Sequence, residues 1–478
     1  MSAISIRKSL KRFALAVPVS LALAGAVALP RPASAETLAD ALVGAYEYSG
    51  LLEQNRALLR AADEDVATAK SALKPVLQWA AGLTQSFGTT RTSSLLAAQS
   101  TESLKASISL IGQLLIYDFG ASAYRIEAAK ETVLATRQTL VNLEQQVLLR
   151  AVAAYMGVIE ASETVELRNN NLRLLTQELR AARDRFDVGE VTRTDVALAE
   201  AQLADARSGL AGAEGDLLRA VEEYRNAVGR QPGNLSQPPS LPDVGGNLAA
   251  AKGLAVRQHP SIISAQHQVA AADLGVEANE AAMAPRVTLN GQYGLNETFD
   301  SDSYTRSGSV GVEVGQTIYQ GGALSSAVRS SMAQRDAQRA NLHVVRRNVE
   351  QEVGNAYAAL SSARAQLEAS ERQIRAARIA FRGVREEATL GARTTLDVLD
   401  AEQSLLDAES TRVSARANLY VAAYSVLAAT GQLTVRDLKL PVQIYDAGAY
   451  YNLVKDGPAK YSKEGQALDR VLRALQKD

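Results

Sequence analysis

Gly391-Ala392-Arg393-Thr394-Thr395-Leu396-Asp397-Val398-Leu399-Asp400-Ala401-Glu402 repeats the outline of an earlier stretch, which has Leu198 in place of Asp400, so only the second copy carries the acidic pair. Its earlier form is Gly189-(x)5-Asp195-Val196-(x)2-Ala199-Glu200, and 391 − 189 = 202. Working outward, Ala154-Tyr155 returns as Ala356-Tyr357 and Tyr117-Asp-Phe-Gly120 as Tyr319-Gln-Gly-Gly322, both at the same offset. Further upstream, Ala61-Ala62-Asp63 matches Ala271-Ala272-Asp273 and Pro75 matches Pro285, now at offset 210. The first copy therefore holds eight extra residues (210 − 202) between its strands, around Thr89–Thr101, where length variation suits an exposed loop. A repeat this long is one half of a duplicated architecture. Solenoid arrays repeat at shorter periods.

Each copy carries the same order of patterns. No proline occurs between Pro75 and Pro232, or between Pro285 and Pro441. Helix interiors exclude proline, so both stretches have room for very long helices. In the first, Val158, Val165, Leu172, Leu179 and Phe186 recur every seven residues. Leu140, Val147 and Ala154 do so in a frame shifted by four, a stutter in the supercoil. The chain turns at Gly189 and returns with Ala199, Ala206, Ala213, Ala220 and Ala227 at heptad spacing. The second copy repeats this with Leu360, Leu367, Ile374, Phe381 and Ala388, then Ala401, Ala408, Ala415, Ala422 and Ala429. Alanine at each seventh residue permits close antiparallel backbones, which predicts helical hairpins at 121–228 and 323–430. Gly189 and Gly391 are expected to supply positive φ at the two hairpin-tip turns.

Ahead of each hairpin the period changes to two. Leu77, Trp79, Ala81, Leu83 and Phe87 alternate with Gln78, Ala80, Gly82, Thr84 and Ser86, and Val310, Val312 and Val314 with Gly311, Glu313 and Gly315. Strands are expected at about 75–90, 103–117, 285–297 and 307–319. A barrel lining water and a soluble antiparallel sheet both alternate in this way. Shorter helical stretches, Glu36–Leu73 and Asn247–Met283, precede the strands. The expected organisation is a first repeat over 36–230, a Pro/Gly linker at 231–247, a second repeat over 248–432 and a C-terminal segment at 433–478. That last segment either packs on the body or hangs free.

The first 35 residues read as a secretory signal. Arg7, Lys8, Lys11 and Arg12 precede the apolar run Phe13–Leu29 and the small-residue site Ala33-Ser34-Ala35. Removing it takes away five basic residues and leaves 46 basic against 52 acidic, a net charge of −6. This balance offers no bulk basic surface for nucleic acid. Past the signal, no apolar run reaches the roughly 20 residues of a membrane helix, so any membrane crossing must use a β-barrel. The chain has no cysteine, which excludes disulfides and zinc–thiolate sites. Its histidines are His259, His267 and His343, without the i, i+4 spacing of helical metal ligands. No nucleophile elbow or phosphate loop is present. Neither enzymatic activity nor a metal or other cofactor is expected.

The order helix–strand–strand–long helix–turn–helix, doubled behind a signal and carrying the Gly391–Ala401 motif, resembles the outer-membrane efflux protein (TolC) family. The resemblance covers roughly Thr37 to Gly431. It implies an α+β fold: a homotrimer with a 12-stranded transmembrane β-barrel continued by a long α-helical coiled-coil periplasmic barrel. It also implies an outer-membrane exit duct for a tripartite efflux or type I secretion system, extending into the periplasm. Its partners would be a periplasmic adaptor (membrane fusion) protein, an inner-membrane transporter and outer-membrane lipid. By the same resemblance, Asp397 and Asp400 form an acidic ring at the periplasmic aperture, and like charges gathered there raise each other's pKa. Arg393, Thr194 and Asp195 supply closed-state tip contacts. One departure is plain: a tyrosine that some members carry three residues before the second tip glycine is Ala388 here, and Phe186 in the first copy. The rival reading is a periplasmic coiled-coil or adaptor protein without a pore.

Overall fold

The computed structural model describes residues 35–91, 97–238, 240–299 and 302–475. The signal expected at 1–35, apart from Ala35, lies outside the described residues, as does the centre of the first inter-strand loop at 92–96.

The two longest helices occupy the proline-free stretches. Helix α3 runs over Ala121–Asp187 and α7 over Ala323–Thr389, 67 residues each, about 100 Å at 1.5 Å per residue. Both start after a left-handed glycine, Gly120 (φ 91°) and Gly322 (φ 83°). Their return partners are α4 (Arg193–Val228) and α8 (Thr395–Ala429). The alanine seams lie buried between paired helices: Ala199, Ala206 and Ala213 in α4, and Ala408, Ala415 and Ala422 in α8. Near the first tip, Leu175, Leu179 and Ala182 pack on Ala199, Leu203 and Ala206, and Leu399 of α8 joins them. The two hairpins thus share one core, with α8 lying along α3.

The shorter helical stretches differ from expectation, because each is broken in two. The first divides into α1 (Leu38–Tyr48) and α2 (Gly50–Ser71), the second into α5 (Leu248–Gln258) and α6 (Pro260–Ala281). The breaks fall at equivalent positions, 49 + 210 = 259. Ser49 is extended and its hydroxyl accepts from Leu52 N, capping α2. His259 is held extended by Pro260, and its Nδ1 accepts from Ser261 N.

Four antiparallel strands form one sheet in the order β1 (Val76–Thr90), β2 (Gln99–Tyr117), β3 (Arg286–Thr298), β4 (Tyr304–Gly315). β2 starts four residues before the expected 103, because Gln99–Glu102 pair with Phe87–Thr90. β4 stops at Gly315 and not at the expected 319, because its last partner on β3, Arg286, is the first residue of that strand. The register decides the faces. Trp79 lies beside Leu110, which lies beside Tyr293, and Ala81 beside Ile108 and then Leu295. The opposite face carries Gln78, Ser107, Ser109, Asn290 and Glu313, with Asn290 Nδ2 donating to Glu313 at 2.8 Å. All four alternating patterns are in phase, giving one apolar and one polar face. Trp79, Phe87 and Val310 are 73%, 82% and 80% exposed.

The C-terminal segment packs on the body. Leu433 and Val435 enter the main core with Leu148, Tyr155 and Tyr224, and Val435 N donates to Glu144 at 2.7 Å. Tyr445 N donates to Tyr46 Oη, and Tyr450 Oη donates to Glu64 of α2 at 2.8 Å. Two short helices follow, α9 (Ala449–Val454) and α10 (Lys463–Leu475). Among the described residues no helix is long and apolar enough to cross a membrane.

Candidate aperture at the hairpin tips

Each tip is built by the same local rules. At the end of α3, Glu190 N donates to Arg185 O and Gly189 takes φ 83°; at the end of α7, Ala392 N donates to Glu387 O and Gly391 takes φ 77°. Such a six-residue closure through a left-handed glycine satisfies the last helical carbonyls. Three residues later each returning helix opens with a capping box. Asp195 accepts from Thr192 N at 2.8 Å, and Asp397 from Thr394 N at 2.9 Å; the Thr192 and Thr394 hydroxyls accept from the Asp N–H groups. The repeated Gly-(x)5-Asp is therefore first a turn-and-cap signature.

This splits the acidic pair by environment. Asp397 is half-buried, and the Thr394 amide and hydroxyl hold its carboxyl below the usual range, with Arg393 adding to the effect. Within one chain its pKa thus moves opposite to the rise expected from a crowded ring. Asp400, one turn on, is exposed, and its backbone carbonyl accepts from Ser404. Arg393 is exposed and gives its Nε to Glu387 at 2.9 Å, across its own turn. Thr194 is exposed, and Asp195 is committed to Thr192. Among the described residues no hydrogen bond joins Arg393 to Thr194 or Asp195 within the chain. The two tips nevertheless flank one cavity of about 790 Å³, lined by Asp195, Thr192, Arg185, Arg385, Arg393 and Thr394.

Sequence reading missed a polar seam above the tips that ties one hairpin to the other. Asn171 of α3 donates to Glu402 of α8 at 2.7 Å, with both side chains buried, and Arg385 of α7 pairs with Glu178 of α3 at 3.0 Å. Burial, reinforced by the Glu178 charge, pushes the Glu402 carboxyl up to about 7. Its second oxygen has no partner. The first copy does the opposite: Arg183 and Glu200, the counterparts of Arg385 and Glu402 at offset 202, pair with each other at 2.5 Å on the surface. The signal that could have exposed this was the repeated Arg…Glu spacing, set against an asparagine on an apolar stripe.

Residues 45–230 and 253–432 match the family described as outer membrane efflux protein. The chain belongs to that family. It is 35% identical over 442 residues to the outer membrane efflux protein BepC of Brucella suis, covering 92% of this chain and 95% of BepC. It is 26% identical over 345 residues to the alkaline protease secretion protein AprF of Pseudomonas aeruginosa, covering 70% and 71%. The fold matches the CmeC outer membrane channel of Campylobacter jejuni with a TM-score of 0.75 at 16% identity, over 91% of this chain and 90% of CmeC. This member of the efflux family is an outer-membrane exit duct of the efflux and type I secretion class. It reaches from the outer membrane into the periplasm.

Proposed function

We propose that three copies close into one 12-stranded barrel through the outer membrane, and that their hairpins continue it as a periplasmic tunnel narrowing at the tips. The observation that carries this is the in-phase sheet, with Trp79, Leu110, Tyr293 and Val312 on one face and Asn290, Glu313 and the serines on the other. A water-lined barrel needs that arrangement. Four strands cannot close by themselves, and in lipid the edges at β1 and β4 would leave backbone groups unsatisfied. The duct is passive. A periplasmic adaptor and an inner-membrane transporter bias the tips outward, and Arg393, Thr194 and Asp195 meet across neighbouring copies in the closed state.

The acidic residues divide the work at the aperture. Asp397 stays ionised because it caps α8, and Asp400 presents the free carboxylate that favours cations. Single-channel current in a planar bilayer tests this. The wild type should give a discrete, cation-preferring conductance. Asp400→Asn should weaken the preference while leaving the tip folded, and Asp397→Ala with Asp400→Ala should abolish it. Unchanged selectivity in the double variant would remove these residues from the aperture.

A further inference from the structure

A cavity of about 780 Å³ lies where the C-terminal segment crosses the body, away from both the tips and the sheet. Its walls come from the α1–α2 break, the middle of α3, the α5–α6 break and residues 431–448. That volume is in the range of small-molecule sites. Leu140, Val141 and Ile444 give the lining its apolar part, and Arg56 and Arg137 bring two guanidinium groups to it.

Both arginines are held in place without spending their donors. The Arg56 side chain is 16% exposed, and its guanidinium carbon lies 5.1 Å from the centroids of the Tyr46 and Tyr445 rings. Its Nη1 reaches the exposed Glu53 at 3.5 Å, while its Nε is buried without an acceptor. Arg137 rests 5.5 Å from the Tyr451 ring, and its Nε is likewise buried without an acceptor. An aromatic face holds a guanidinium by its plane, so the N–H edges stay free for another partner. Asp63 acts on Arg137 only through space, since neither of its oxygens has a hydrogen-bond partner.

The acids around the cavity are already committed. Glu144 accepts from Val435 N at 2.7 Å, Asp437 takes the Thr434 hydroxyl at 2.7 Å, and Asp446 accepts from Gly448 N at 2.8 Å. Burial also raises the Glu144 carboxyl, which lessens the negative charge it presents. Arg436, exposed at the rim, adds a third cation.

The second copy treats the same arginine differently. Arg339 (137 + 202) pairs with Asp273 (63 + 210) at 2.9 Å, and the places of Arg56 and Tyr46 are taken by Gln266 and Val256. In the first copy Arg137 lies on Tyr451 of the C-terminal segment and is not paired with Asp63. A guanidinium taken out of water without a counter-charge is costly, and an anion in the cavity would supply one.

We propose that this cavity binds a small organic anion, a carboxylate or phosphate group on an apolar body. The oxyanion meets the free guanidinium edges of Arg56 and Arg137, and the body lies against Leu140, Val141 and Ile444. The site stands whether or not the sheet closes as proposed above.

Calorimetric titration of the purified full chain in detergent tests this, with benzoate and phenyl phosphate as the anions and benzyl alcohol as their neutral match. An anion should bind about tenfold or more tighter than the alcohol, and the tighter of the two anions names the group the site takes. Arg137→Gln should weaken anion binding by a similar factor. Arg339→Gln, the same substitution in the second copy, should leave it unchanged. Should Arg137→Gln misfold, Ile444→Glu alters a side chain that is 45% exposed and sets a carboxylate at the cavity, so it should weaken the anions and spare the alcohol. Equal binding of anion and alcohol, no binding of either anion, or full anion affinity in Arg137→Gln or Ile444→Glu would overturn the site.

Discussion

The residues that matter most at the tips serve the backbone before they serve the pore. Asp397 and Asp195 complete capping boxes whose N-caps are Thr394 and Thr192, and removing an N-cap costs about 1 kcal/mol. Thr394→Val should therefore loosen the first turn of α8, seen as faster amide exchange at Asp397 and Val398, with no change of charge at the aperture. Glu402 is the pH-responsive group of the inter-hairpin seam. Folded, it holds its proton to about pH 7, against its ordinary 4.5. A raised carboxylate pKa means the seam is most stable below pH 4.5, weakens as pH rises toward 7 and is flat above that. The hairpins should part more readily at pH 8 than at pH 5. Glu402→Gln, which keeps an acceptor for Asn171, should remove that slope from the open probability. Arg385 would then stay on Glu178, whereas the wild-type arginine can turn to an ionised Glu402, as Arg183 does to Glu200. Asp63 is a second such group: wholly buried, with both oxygens unpartnered, it is pushed up to about 6 by burial. Asp63→Asn should raise thermal stability at pH 8 and leave it nearly unchanged at pH 4.

At the scale of elements, the repeated tyrosines hold the crossing segments against the long helices. Tyr155 Oη donates to Glu36 O at 2.9 Å and to Ser236 O, and Tyr357 Oη to Val244 O at 2.7 Å. Both tyrosines of the repeated Ala-Tyr motif therefore anchor the linker between the copies, a role that gives a physical reason for their recurrence. Tyr155→Phe should cost about 1 kcal/mol by removing the hydroxyl from Ser236 O, while Glu36 O keeps the Ser236 amide and hydroxyl, measured as a lower midpoint in urea. Tyr357→Phe should cost less, because its site is more open to water.

At the scale of the whole molecule, the duplication is not symmetric, and the C-terminal segment is the cause. Asp273 pairs with Arg339 at 2.9 Å on the surface. Its first-copy counterpart, Asp63 near Arg137, lies beneath the Tyr445–Tyr451 strap, where Arg137 sits 5.5 Å from the Tyr451 ring. Arg56 is likewise 5.1 Å from both the Tyr46 and Tyr445 rings. A chain ending at Leu440 should expose Leu59, Val66 and Val133, the small cluster beneath Tyr445 and Tyr451, and melt at a lower temperature. Its Asp63 should recover an ordinary carboxylate pKa, removing the pH 4 to pH 8 difference expected for the full chain.

By itself the sequence determined the doubled order of elements, the long helices, the glycine turns and the strand faces. Each of these follows from a local rule: proline exclusion, heptad spacing, positive φ or period two. Local rules also placed Asp397 and Asp400 one turn apart. Tertiary structure alone decided which groups are buried and paired across helices: the packing of α8 on α3 buries Glu402 beside Asn171, 231 residues away. It also decided that the strap covers Asp63 and leaves Asp273 open. Desolvation and pairing depend on what another part of the chain brings into contact, and no spacing within one element carries that information.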